Sequence, residues 1–183
     1  MMVRKIILYT ITTMLLIGCC YNGKVSEYGL PRRDIKKLEK PILYEKIDTL
    51  ALYKLTSSFH INYLTNEYSY FEKNDDNVYP STSYLKFYPN GKLGLFIIPK
   101  SDTLKLERSF FDPQRAKMGY YYIKDNVIKT RISTIGDCSL YLSNKKGEIK
   151  GDKIIIKDKR GYGNIYIKKY VPKIVLENWK PDW

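Results

Sequence analysis

Few side chains in this chain of 183 residues could do chemistry: three cysteines at 19, 20 and 138, one histidine at 60, and scattered carboxylates. Cys19 and Cys20 are adjacent, which excludes the C-x-x-C spacing of a redox pair. A structural metal site needs three or four nitrogen or sulfur ligands, more than His60 and Cys138 can add. A Ser-His-Asp triad or a metal hydrolase is built on histidine, and His60 stands alone in the alternating run FHINYL, where it reads as a strand residue. Glu148 and Asp152 have the residue types of an acid–base pair, but a wet turn at a strand start explains them equally well. Asp75-Asp76 lies in a polar loop, and calcium there would need more oxygen ligands. The chain has no G-x-S-x-G elbow, no phosphate-binding glycine loop and no H-E-x-x-H. Gly161-Tyr162-Gly163 lacks a following helical pattern and reads as a turn. The expectation is a non-enzymatic protein with no catalytic residues, no metal and no cofactor.

The cysteines make better sense from the segment before them, MMVRKIILYTITTMLLIGCC. Arg4 and Lys5 form a positive start, and Ile6 to Ile17 follows as a mostly apolar, uncharged run. That run is too short to span a bilayer, which takes about 20 residues, and has the length of a signal-peptide core. The competing assignment is a buried first helix or strand. The order of positive start, apolar core and small Gly18 favours a signal.

Leu16-Ile17-Gly18-Cys19 resembles the lipobox of bacterial lipoproteins. That resemblance implies lipid on the Cys19 thiol, cleavage between Gly18 and Cys19, and acylation of the new amino group. It also implies an outer-membrane address facing the periplasm, because Cys20 rather than aspartate follows the lipidated position. Two or three chains hold a protein stably on a membrane where one holds it only marginally. Cys20 then has three assignments: a free thiol near the membrane, a partner for Cys138 in an oxidising compartment, or a site of interchain pairing or modification.

The formal net charge is +13, and losing Arg4 and Lys5 with residues 1–18 leaves +11. Such an excess points to nucleic acid or to an anionic surface. An exported, anchored protein does not meet nucleic acid, so anionic lipid, lipopolysaccharide or cell wall is the expected counter-surface. Many lysines also alternate singly with apolar residues, as on the wet face of a sheet. The 18 tyrosines suit half-buried strand positions.

The elements read as follows. Residues 19–41 form a tether whose Arg32, Arg33, Lys36, Lys37 and Lys40 would sit near anionic headgroups. From residue 42 the pattern turns to period two. IDTLALYKL (47–55) and SFHINYLT (58–65) are two strands. YLKFYPNGKLGLFIIP is a hairpin through Asn90-Gly91, with Leu85 and Phe87 on one face. LKLERSFF is a further strand. MGYYYIKDNVIKTRIS is a hairpin turning at Asp125-Asn126. CSLYLS is a strand, NKKG a turn, and EIKGDKIIIKD and NIYIKKYV are strands. No run keeps a 3.6-residue apolar period, so the expectation is all-β: a small antiparallel barrel or sandwich of about eight strands over residues 42–183.

The texture of LYKL, LKFYPNGKLGLF, GYYYIKDNVI and GDKIIIKDKRGYGNIYIKKYVP resembles small bacterial lipoproteins with lipocalin-like barrels, which implies a small apolar ligand or an envelope partner protein. Trp179 and Trp183 either cover one barrel mouth or offer an aromatic anchor to such a ligand or partner. The anchor has a direct test: Cys19→Ser should release the protein from the membrane fraction, and retention of the variant there would refute lipidation at this residue.

Overall fold

The computed structural model describes residues 21–32, 35, 47–72, 78–136 and 139–183. Residues 1–20, 33–34, 36–46, 73–77 and 137–138 lie outside that description. With them lie Gly18, Cys19, Cys20, Cys138, Asp75-Asp76 and the tether cations at 33, 36, 37 and 40.

The described residues hold nine strands: β1 (Leu52–Asn62), β2 (Glu67–Glu72), β3 (Ser81–Phe87), β4 (Lys92–Pro99), β5 (Lys117–Lys124), β6 (Val127–Gly136), β7 (Ser139–Lys150), β8 (Lys153–Lys157) and β9 (Tyr162–Lys169). One short helix, α1 (Lys173–Leu176), follows them. All pairings are antiparallel, and β1 returns to pair with β9. Eight strands thereby close a barrel of the expected lipocalin-like kind, which leaves β2 as an extra strand on the second half of β1.

Turn chemistry sets the hairpins. Asn90 and Gly91 take φ of 65° and 74°, and Asp125 and Asn126 take 51° and 66°. These left-handed conformations match the right-handed twist of the flanking strands. Elsewhere the chain departs from the sequence expectation. The two runs 47–55 and 58–65 join into one strand, β1, with a register shift against β9 between Leu55 and Ser57. NKKG is not a turn: β7 runs through it, paired with β6 along its whole length. Gly147 belongs in the strand because a Cβ there would strike the Ile155 carbonyl, and the chain turns at Gly151 (φ 57°) instead. LKLERSFF is not a strand. With β4 already flanked by β3 and β5, no edge is left to it, and the segment forms short 3-10 turns at Lys100–Leu104, Arg108–Phe111 and Pro113–Arg115.

Two apolar cores follow from strand alternation. The interior holds Tyr53, Leu55, Leu85, Phe87, Leu93, Tyr121, Ile123, Ile128, Ile154, Ile156 and Tyr166. Phe87 meets Tyr53 and Tyr121 edge-on, at centroid distances of 5.3 and 4.9 Å. These rings fill the lower half of the barrel. Ile47 closes that end, and beside it the Asp48 N–H donates to the Tyr53 hydroxyl (3.1 Å) while Lys168 pairs with Asp48 (3.1 Å) and Asp152 (3.6 Å).

The second core lies outside the wall formed by the start of β1 and by β3, β4 and β5. Leu52, Tyr84, Phe96 and Ile98 pack there under Phe111, Ala116, Val175 and Leu176. This explains why β3 and β5 are buried on both faces.

The cover is fastened by Arg32. Its Nε donates to both oxygens of Asp182 (3.0 and 2.8 Å), and its two terminal nitrogens donate to the carbonyls of Pro31, Pro113, Gln114 and Ala116. With every N–H engaged, the guanidinium is a structural clasp and not the headgroup contact expected of it.

Lys86 is the second buried cation. It donates to the Thr49 carbonyl, and burial pushes its pKa down to about 8. The unfolded chain keeps the ordinary value near 10.5. Unfolding therefore takes up a proton above pH 8, and stability should rise as pH climbs from 8 toward 9.5, below the range of tyrosine ionisation in the unfolded chain. Denaturant unfolding at several pH values should show that rise in the native protein and a flatter profile in Lys86→Met.

Candidate functional site

The bulge in β1 decides which residues can form a site. Tyr53 and Leu55 face inward. An unbroken strand would carry Phe59 and Ile61 inward with them. The extra residue, Thr56, instead turns the second half of β1 over, and its hydroxyl donates to the Ile165 carbonyl of β9 (3.1 Å). Ser58 then meets Asn164, whose neighbour Tyr166 belongs to the interior core. Phe59 and Ile61 emerge on the outer face. There they stand opposite Tyr70 and Tyr68 of β2 and are themselves buried, at 3% and 4% exposure.

The outer faces of β6 to β9, of the second half of β1 and of β2 are left bare by the cover. One cross-strand row runs over them. Lys129 stands opposite Lys146, Lys146 opposite Lys157, Lys157 opposite Gly163, Gly163 opposite Phe59, and Phe59 opposite Tyr70. Three lysines on adjacent strands are thus directly opposed, an arrangement that destabilises a sheet. Contacts of Lys129 with the Tyr122 ring (5.8 Å) and of Lys157 with the Tyr63 ring (5.2 Å) offset part of that cost.

Around the lysine end lies a cleft of about 610 Å³, lined also by Arg131, Asn144, Lys159 and Asp158. Asp158 is occupied by its own turn: its carboxylate accepts from the N–H groups of Arg160 (2.9 Å) and Tyr162 (3.1 Å). Among the described residues, Lys129, Lys146 and Lys157 have no ion-pair partner. The cleft therefore carries an uncompensated positive field suited to a multiply charged anion.

Around the aromatic end lies a groove of about 330 Å³, walled by Phe59, Ile61, Tyr68, Tyr70, Ile155 and Ile165 and lined also by Glu148, Lys146 and Lys157. Gly163 seats the Phe59 ring, which fills the space that any Cβ there would take. Tyr68 and Tyr70 stack at 6.1 Å and are about half exposed.

Of the described sequence candidates, Glu148 alone reaches this wall, lining the aromatic groove beside Lys146 and Lys157. His60 lies against Tyr162 (ring centroids 4.4 Å) at the rim of the barrel. Glu148 is exposed on β7 and pairs with Lys150 (2.6 Å), while Asp152 lies in the β7–β8 turn near Lys168. The three share no described pocket, and among the described residues no group of three His, Cys, Asp or Glu side chains could hold a metal ion. Trp179 and Trp183 do not cover a mouth. Both pack against the outer core. The Trp183 indole donates to the Gly119 carbonyl (3.2 Å), and Arg108 stacks on Trp179 at 4.3 Å. The apolar residues they cover on β3 to β5 give the reason: that wall needs a lid and the filled interior does not.

The lysine row escaped sequence reading because Lys145-Lys146 read as part of a turn and opposition depends on register. Its energetic signature is measurable. Lys146→Gln should relieve two like-charge pairs and raise stability by a few tenths to about 1 kcal/mol in denaturant unfolding at low salt, an effect that fades at high salt. Set against models of protein families, curated proteins and solved structures, the chain matches none of them.

Proposed function

We propose that this protein is a lipid-anchored, non-enzymatic binding module of the bacterial cell envelope, and that its bare wall engages anionic groups of a lipid or polymer there. The observation that carries the reading is the directly opposed Lys129–Lys146–Lys157 row in its basic cleft. Like charges set side by side cost stability, so a ligand that neutralises them recovers what the free protein gives up. The lipobox-like Leu16-Ile17-Gly18-Cys19 supplies the address, and lipid on Cys19 would hold the wall close to such groups. The aromatic filling of the lower barrel, with Phe87 between Tyr53 and Tyr121, speaks against a large apolar ligand inside it.

The mature chain from position 19 with Cys19→Ser contains every described residue and suits the test. It should sediment with phosphatidylglycerol-containing vesicles and not with pure phosphatidylcholine ones, with affinity falling as salt rises from about 50 to 200 mM. At about 1 kcal/mol per lysine, the Lys129→Gln/Lys146→Gln/Lys157→Gln variant should lose on the order of 100-fold. The same exchange at the exposed Lys105, Lys173 and Lys180, away from the cleft, controls for overall charge. Equal losses in the two variants would overturn the reading.

A further inference from the structure

We infer that the basic cleft and the aromatic groove are two halves of one site, and that its ligand is an amphiphilic anion: a phosphate-type head joined to a hydrocarbon chain. The inference rests on the cleft being an anion site and adds what the ligand must carry next to its charge.

The first argument is continuity. Lys146, Gly147 and Lys157 line both depressions, so the two adjoin. The row that begins at Lys129 ends at Phe59 and Tyr70 on the same outer face. A chain leaving a head held at Lys146 and Lys157 runs along Ile155 and Ile165 toward the exposed rings of Tyr68 and Tyr70, which line the same groove.

The second argument is that the apolar half has been turned outward against the ordinary pattern. Phe59 and Ile61 follow Tyr53 and Leu55 in period two, and the register that would send all four into the barrel is broken only at Thr56. Bulges re-aim side chains. This one moves two large apolar residues out of the barrel and brings in Ser58. On the outer face the two meet Tyr68 and Tyr70, and behind them lie Ile155 and Ile165. The result is an apolar groove on a bare wall that opens directly into a lysine cluster. A purely anionic polymer would leave Ile155, Ile165, Tyr68 and Tyr70 unused, and a neutral apolar ligand would leave the opposed lysines repelling one another. A ligand with both parts answers both.

Calorimetry on the mature Cys19→Ser chain distinguishes the parts. The probes are inorganic phosphate, dodecyl phosphate and dodecyl maltoside, the last two below their micelle thresholds. Dodecyl phosphate should bind at least ten-fold more tightly than either phosphate or dodecyl maltoside. Tyr68→Ala/Tyr70→Ala, at two exposed positions, should reduce dodecyl phosphate to the level of phosphate and leave phosphate itself unchanged. Lys157→Gln should weaken both anions. If dodecyl phosphate binds no better than phosphate, or keeps its advantage in the tyrosine variant, the two-part site is overturned while the anion cleft stands. If dodecyl maltoside equals dodecyl phosphate, the head contributes nothing and the two-part site falls. If neither anion binds at low salt, the anion cleft falls as well.

Discussion

The wall that carries the site depends on one extra residue in β1. Before Thr56 the strand sends Tyr53 and Leu55 into the barrel, and after it the same alternation sends Phe59 and Ile61 out. Strand closure with β9 is kept across the shift, because pairing resumes at Ser57 and Ile165 and the Thr56 hydroxyl holds the Ile165 carbonyl. The barrel thus keeps its full set of pairs while the composition of its two surfaces changes midway along one strand. A polar upper interior and an apolar outer patch are products of the same irregularity. With its amide oriented to satisfy both ends, Asn164 accepts from Lys145 and the Tyr166 hydroxyl and donates to Ser58 and the Gly163 carbonyl. That network occupies the space from which Phe59 was turned away.

A second constraint decides which outer surface is available. β3, β4 and β5 carry Tyr84, Phe96, Ile98, Met118 and Tyr120 on the outside, and these must be covered. The turns of residues 100–115, residues 21–32 with Ile35, and α1 with its following residues supply the cover. Arg32 binds these pieces together through a carboxylate, four carbonyls and the face of Trp183 at 5.2 Å. A guanidinium suits that place because its donors are fixed in a planar fork and it stays charged when buried. The opposite wall has alternating lysines, and none of these covering pieces reaches it among the described residues.

Much of the architecture was legible locally. Asn90-Gly91 and Asp125-Asn126 announce their hairpins through residues that accept φ > 0, and period-two runs identify most strands. What sequence could not supply was register. Lys129, Lys146 and Lys157 are far apart in the chain and ordinary one at a time; only pairing makes them neighbours. The outward turn of Phe59 and Ile61 was equally hidden, because Thr56 carries no glycine or proline to mark a bulge. Arg32 looked like a headgroup contact because nothing local reveals a carboxylate 150 positions away. The tryptophans were expected either at a mouth or as an anchor for a ligand or partner, and the structure places both against the outer core. Which surface needed the lid was set by the outward residues of β3 to β5.

Closure of this barrel also fixes when folding can finish. β1 obtains its long antiparallel partner only in β9, and Arg32 obtains its carboxylate only at Asp182. Contacts of such sequence separation form late and slowly. During synthesis the first strand waits without its long partner until the last has been made. The barrel seals only once residue 182 is free to reach Arg32.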